Sequence, residues 1–75
     1  PGIKGGMKYD KCLKALEEMQ EVSKIEESRD MNGQFIVFTY TNPKNNNTYS
    51  FRIRFRYIKK HQRITAFYLS KDGDW

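Results

Sequence analysis

The stretch from Thr48 to Lys60, TYSFRIRFRYIKK, constrains the fold of this chain most strongly. Apolar residues alternate in it with polar ones, which predicts a β-strand because successive side chains of a strand point to opposite faces. The face expected to build a core consists of Tyr49, Phe51, Ile53, Phe55 and Tyr57. The opposite face carries Ser50, Arg52, Arg54 and Arg56. Its arginines would lie roughly 7 Å apart, since each strand residue rises about 3.3 Å.

A different pattern before this strand predicts an amphipathic helix. From Lys8 to about Ser23, apolar residues recur at spacings of three and four, which form one stripe of an α-helix. That stripe contains Tyr9, Cys12, Leu13, Leu16 and Met19. Val22 and Ile25 depart from it, so we expect the helix to bend or end near them.

Two further segments predict strands that are covered on both sides. Gln34 to Tyr40 and Arg63 to Ser70 are rich in β-branched and aromatic residues, and both faces of each would be apolar. Short polar connections join the three strands, which favours sequential antiparallel pairing. The sequence therefore predicts an α+β fold, with one amphipathic helix packed on a three-stranded antiparallel β-meander in the order α-β-β-β.

The length of 75 residues predicts a single small domain. Residues 1–6, PGIKGG, are expected to be a flexible leader or a cloning remnant, and residues 7–75 to form the domain. Cys12 is the one cysteine, which excludes an internal disulfide and fits a reducing compartment. No apolar run reaches the roughly 20 residues that a membrane span needs. We therefore expect a soluble, cytoplasmic protein.

Charge is unevenly distributed along the chain. The formal net charge is +5, but residues 8–28 hold four lysines against six acidic residues. Residues 44–71 hold eight basic residues and no acidic one. A one-sided positive field attracts polyanions, which include nucleic acid, anionic membrane and acidic protein surfaces.

The residues that could support catalysis are few and scattered. His61, the single histidine, lies in an expected turn with no acidic residue nearby in sequence, and Cys12 lies on the apolar stripe of the helix. Metal sites need three or four converging ligands. The sequence also contains no glycine-rich phosphate loop and no nucleophile elbow. We expect a protein that is not an enzyme and that uses no metal or cofactor.

Polyanion binding is the favoured function, with nucleic acid ahead of an acidic protein surface and membrane third. The residues expected to contact phosphate groups are Arg52, Arg54, Arg56, Lys59, Lys60 and Arg63. Depending on the strand register, stacking planes for unpaired bases would come from Phe38, Tyr40 or Tyr68. Cations beside exposed aromatic rings favour single-stranded over duplex nucleic acid. Alternatively, the arginines keep a sheet face soluble and prevent edge pairing.

Two other functions remain open. In size and composition the chain resembles small bacterial RNA-cleaving toxins of the RelE type, a resemblance that implies a ribonuclease working with arginine, lysine and tyrosine. It is also similar in style to small phage- or plasmid-type inhibitors, which implies an interaction module for an acidic protein surface. Strands that are apolar on both faces leave surface to cover in so small a domain, so a homodimer is a further expectation.

Overall fold

A computed structural model describes residues 3–31, 33–58 and 61–71. They form one helix packed on an antiparallel sheet of four strands, so the predicted α+β class is confirmed with one strand more than expected. The elements are helix α1 (Tyr9–Glu18) and strands β1 (Val22–Asp30), β2 (Gly33–Thr41), β3 (Thr48–Ile58) and β4 (His61–Lys71).

Helix α1 is shorter than the sequence predicts. Its buried face is the expected one and presents Tyr9, Cys12 and Leu16 to the sheet. The helix ends at Glu18, because Met19 has an extended backbone (φ −85°, ψ 123°) and its N–H bonds to the carbonyl of Leu16. The residues beyond Met19 belong to the sheet instead.

Strand β1 is the element that the sequence does not predict. Its apolar residues, Val22 and Ile25, are three positions apart, which is a helical spacing and would place them on opposite faces of a regular strand. A register shift between Ser23 and Glu26, with Lys24 at φ 52°, inserts one extra residue into the strand. Both apolar side chains therefore pack against the core on the same side of the sheet.

The four strands are arranged in sequence order as a meander. Strand β2 pairs with β1 and β3, which agrees with its apolar residues on both faces. Cross-strand partners share a face, and the pair Ile36 with Ile53 fixes which side faces the helix. The predicted alternation of β3 is confirmed, since Ile53 and Phe55 are fully buried whereas the arginines lie on the opposite side.

The core lies between helix α1 and the sheet. Its buried members are Tyr9, Cys12, Leu16, Ile36, Phe38, Ile53, Phe55 and Ile64. Phe55 is the largest fully buried side chain among those that the structure describes, and its ring meets that of Tyr9 edge to face at a centroid distance of 4.7 Å. The Tyr9 hydroxyl donates to the Glu27 carboxylate of β1, which ties the start of the helix to the sheet edge.

The segment before the helix is packed on the domain. The N–H of Gly6 bonds to the carbonyl of Ile64 at 3.2 Å, and the N–H of Ile64 bonds to the carbonyl of Met7 at 3.0 Å. Ile3 and Met7 also pack against the core. Residues 3–6, which were expected to form a flexible leader, thus contribute contacts to the fold and pair with the edge of β4.

Candidate polyanion interface

The side of the sheet that faces away from the helix carries the three arginines of β3, and we call it the arginine face. The strand register surrounds Arg52 with Val37 of β2 and Tyr68 of β4. It also places Phe35 opposite Arg54. Aromatic side chains from both neighbouring strands therefore share this face with the arginines.

Arg52 is held at the centre of the arginine face by contacts on three sides. Its guanidinium carbon lies 4.0 Å from the ring centroid of Phe35 and 5.9 Å from that of Tyr68. Its Nη2 lies 4.0 Å from Oδ2 of Asp30. Phe35 is only 5% exposed although it points away from the core, and the guanidinium lies over its ring. Cation–π contact contributes about 0.5–1 kcal/mol at such sites, whereas an exposed ion pair contributes little.

The other arginines extend positive charge toward one end of the sheet. Arg54 is half-buried and Arg56 is exposed. Arg56 is the cross-strand partner of Arg63, whose Nη1 donates to the carbonyl of Gly6 at 2.8 Å. Arg54 and Arg56, with Arg29 of β1, line an open groove of about 590 Å³ at this end. Asp30 also lines this groove, so its charge is mixed. Guanidinium groups can bind phosphate with paired hydrogen bonds, and the arginines are therefore the part of the groove suited to an anion.

Strand β1 adds acidic residues that the sequence analysis did not place on this face. The register sets Glu26 opposite Val37 and Asp30 opposite Gly33, so both carboxylates point to the arginine side. The arginine face is therefore divided, with acids along the β1 edge and cations along β3 and β4. The sequence pattern of β1 predicts a helix end and a turn, and so gives no sign that these acids lie on the sheet.

The register decides among the predicted stacking residues. Tyr68 is 40% exposed and lies on the arginine face, so its ring can be reached by a base bound beside the arginines. Phe38 and Tyr40 lie on the helix side, where Phe38 is buried and stacks on Phe51 at 5.1 Å. Of the alternatives that depended on the register, Phe38 therefore does not offer an exposed ring, because its side chain points to the same side of the sheet as the buried Ile36. Phe35 lies beside the arginines instead, but its ring is buried under the Arg52 guanidinium.

Two predicted phosphate contacts, Lys59 and Lys60, lie outside the described residues. The remaining four are brought together by the β3–β4 hairpin, with Arg52 and Arg54 along one strand and Arg56 beside Arg63. His61 begins β4 rather than lying in a turn.

Cys12 occupies the core position that the sequence predicts. Its side chain is fully buried, and burial raises the pKa of the thiol to about 11. Within the ranges that the structure describes, no three His, Cys, Asp or Glu side chains converge to hold a metal ion. Over those same ranges, no helix has the length and apolar character needed to cross a bilayer.

Comparison with protein family models, with curated proteins and with solved structures gave no significant match.

Proposed function

We propose that this protein is a non-catalytic binding module for a polyanion, with single-stranded nucleic acid as the favoured ligand. The observation that supports it most directly is the placement of the Arg52 guanidinium over Phe35 and beside the exposed ring of Tyr68. Next to this cluster, Arg54, Arg56 and Arg63 supply charge for phosphate groups.

The Arg52 cluster combines two chemistries that unpaired nucleotides need. The guanidinium of Arg52 lies over the Phe35 ring, and 39% of the Arg52 side chain is still exposed to solvent. Arginine planes and tyrosine rings both stack on bases, and base stacking contributes about 1–3 kcal/mol per base. In a duplex the base faces are already stacked on one another, so this cluster favours a single strand.

An acidic protein surface is the second candidate partner, and aromatic geometry argues against placing it first. Carboxylates need cations but gain little from an adjacent exposed ring. The cations of the arginine face would attract either ligand, whereas the Tyr68 ring adds stacking energy only when the ligand contains bases. The effect of a Tyr68 substitution on affinity therefore distinguishes a nucleic-acid ligand from an acidic protein ligand.

The first experiment measures fluorescence anisotropy of labelled single-stranded and duplex oligonucleotides at about 50 and 200 mM salt. We expect saturable binding that weakens with salt and is tighter for the single strand. Absence of binding at the lower salt concentration would refute nucleic acid as the ligand. A gel run in parallel would reveal RNA cleavage, which would favour the toxin-like alternative instead.

The matched variants are Tyr68→Ala and Tyr68→Phe. Loss of the ring should weaken single-strand binding about 5- to 100-fold, as expected for one lost stacking partner, whereas Phe should retain nearly all affinity. Because Tyr68 is exposed, neither change should unfold the protein, and circular dichroism checks this. Equal binding by both variants would mean that charge alone drives association, which is the behaviour expected for an acidic protein ligand.

A further inference from the structure

Three basic residues form a row that crosses the sheet at right angles to its strands. Arg56 of β3 is the cross-strand partner of Arg63 in β4. Arg63 in turn forms an isolated antiparallel bridge with Lys8, just before helix α1. Directly opposed residues lie about 4.5–5.5 Å apart, so the row spans roughly 10 Å at the level of the backbone. We call Arg56, Arg63 and Lys8 the cationic row.

The cationic row is unfavourable for the folded protein by itself. Like charges placed directly opposite each other destabilise a sheet. Within the part of the chain that the structure describes, none of the three residues has an ion-pair partner. Lys8 and Lys11 also flank the start of helix α1, where the helix dipole disfavours cations. A bound anion would relieve both effects.

The cationic row ends in a second groove, distinct from the one at the end of the arginine face. This groove has a volume of about 370 Å³, and its charged lining residues are Lys4, Lys8, Lys11 and Arg63. Among the residues that the structure describes, no acidic side chain lines it. Arg63 is steadied there by its hydrogen bond to the carbonyl of Gly6. The three lysines are exposed, so their ammonium groups can reach a ligand in the groove.

We infer that a bound single strand crosses the sheet along the cationic row and continues around the β4 edge, so that the second groove binds one of its phosphate groups. This inference rests on the proposed function, and it adds a direction and a second phosphate subsite to it. A strand that only followed β3 would meet Arg52, Arg54 and Arg56 but not the three lysines that line the second groove. The ligand class is therefore a flexible polyanion long enough to leave the arginine face.

The test compares Lys11→Glu with Lys14→Glu. Both lysines are exposed on helix α1 and both changes alter net charge equally, but Lys11 lines the second groove and Lys14 does not. The Lys11 change also places an acid near the helix start, which favours the helix, so weaker binding could not be attributed to unfolding. Anisotropy is measured with single strands of roughly 4 and roughly 16 nucleotides, the range that small single-strand-binding folds occupy.

We expect Lys11→Glu to weaken binding of the long strand about 5-fold or more and to reduce the salt slope by about 0.7, the value for one phosphate contact on a single strand. The short strand should respond less than about 2-fold, as should both strands with Lys14→Glu, because remote exposed charges are screened. Equal effects of the two substitutions on the long strand would overturn the inference while the proposed function stands. If the unmodified protein bound neither strand, the proposed function itself would fail.

Discussion

The guanidinium carbon of Arg52 lies 4.0 Å from the ring centroid of Phe35, on the side of the sheet that the helix does not cover. Phe35 is consequently buried without belonging to the core between helix and sheet. The pair places a partly exposed cation over a buried ring on the arginine face. Arginine and lysine differ in this setting, because only the planar guanidinium can stack on a ring and on a base at once.

Substitution of Arg52 by lysine should therefore separate stacking from charge. We expect Arg52→Lys to weaken single-strand binding about 5- to 10-fold, equivalent to the loss of part of one stacking contact, with little change in salt slope. Arg56→Lys is the control, since Arg56 is exposed and lysine keeps its charge. Loss of the paired hydrogen bonds of the guanidinium should change affinity less than about 2-fold at this solvated position. Anisotropy titrations at several salt concentrations give both quantities. A similar loss in the two variants would argue against a stacking role for Arg52.

Removal of the Asp30 carboxylate should strengthen polyanion binding. Asp30 lies 4.0 Å from the Arg52 guanidinium and would repel a phosphate group approaching it. We expect Asp30→Asn to tighten binding about 2- to 5-fold at low salt, in keeping with one exposed charge pair. The matched control is Glu18→Gln on helix α1, which should leave affinity unchanged. Weaker binding by Asp30→Asn would show instead that this carboxylate positions Arg52.

Glycine is required at position 33, at the start of β2. Its φ is +140°, and a Cβ there would lie 2.6 Å from the carbonyl oxygen of Phe55. We expect Gly33→Ala to lower the free energy of unfolding by about 1–3 kcal/mol through backbone strain and this contact. Gly5 is the control, because no atom of the described residues beyond its chain neighbours lies within 4 Å of a Cβ built there. Urea unfolding measures both variants, and an unchanged midpoint for Gly33→Ala would contradict the geometry.

The stability of the fold should decrease at alkaline pH. Burial raises the pKa of the Cys12 thiol to about 11, whereas a thiol in an unfolded chain titrates near pH 8.5. Below about pH 8 the thiol is neutral in both states, and its contribution to stability is complete. As pH rises from there to about 11 the unfolded chain loses the proton first, so the free energy of unfolding falls by at most about 1.4 kcal/mol per pH unit.

Urea unfolding at about pH 8 and pH 10 tests this dependence, with Cys12→Ala as the comparison. The variant should be less stable overall but should lose less stability between the two pH values. Tyr9 contributes in the same direction, because burial and then its hydrogen bond to Glu27 raise the pKa of its hydroxyl. If Cys12→Ala had the same pH dependence of unfolding as the unmodified protein, the thiol would not be a cause of the stability loss at alkaline pH.

The sequence predicts the elements whose side-chain period matches their secondary structure. The alternation from Tyr49 to Tyr57 and the stripe of Cys12 and Leu16 were sufficient for β3 and α1. Strand β1 was missed because its bulge moves Val22 and Ile25 onto one face at a spacing typical of a helix. Pairing with β2, which is a tertiary interaction, overrides that local pattern.

The candidate site was predictable in its charges but not in its aromatic residues. The parity of β3 alone places Arg52, Arg54 and Arg56 together. Phe35 and Phe38 have opposite parity on a strand that is apolar on both faces, so only the register with β3 shows which ring accompanies the arginines. The division of the arginine face by acids was also unpredictable, because it depends on β1.

The pairing of the N-terminal segment with β4 has a consequence for how this chain folds. The guanidinium of Arg63 and the carbonyl of Gly6 that it bonds are 57 positions apart in sequence, whereas the meander itself is built from neighbouring hairpins. Closing so long a loop costs more entropy than forming a hairpin, so this contact should be made late. During synthesis, Gly6 emerges well before β4, so it cannot make this contact until β4 has emerged and paired with β3.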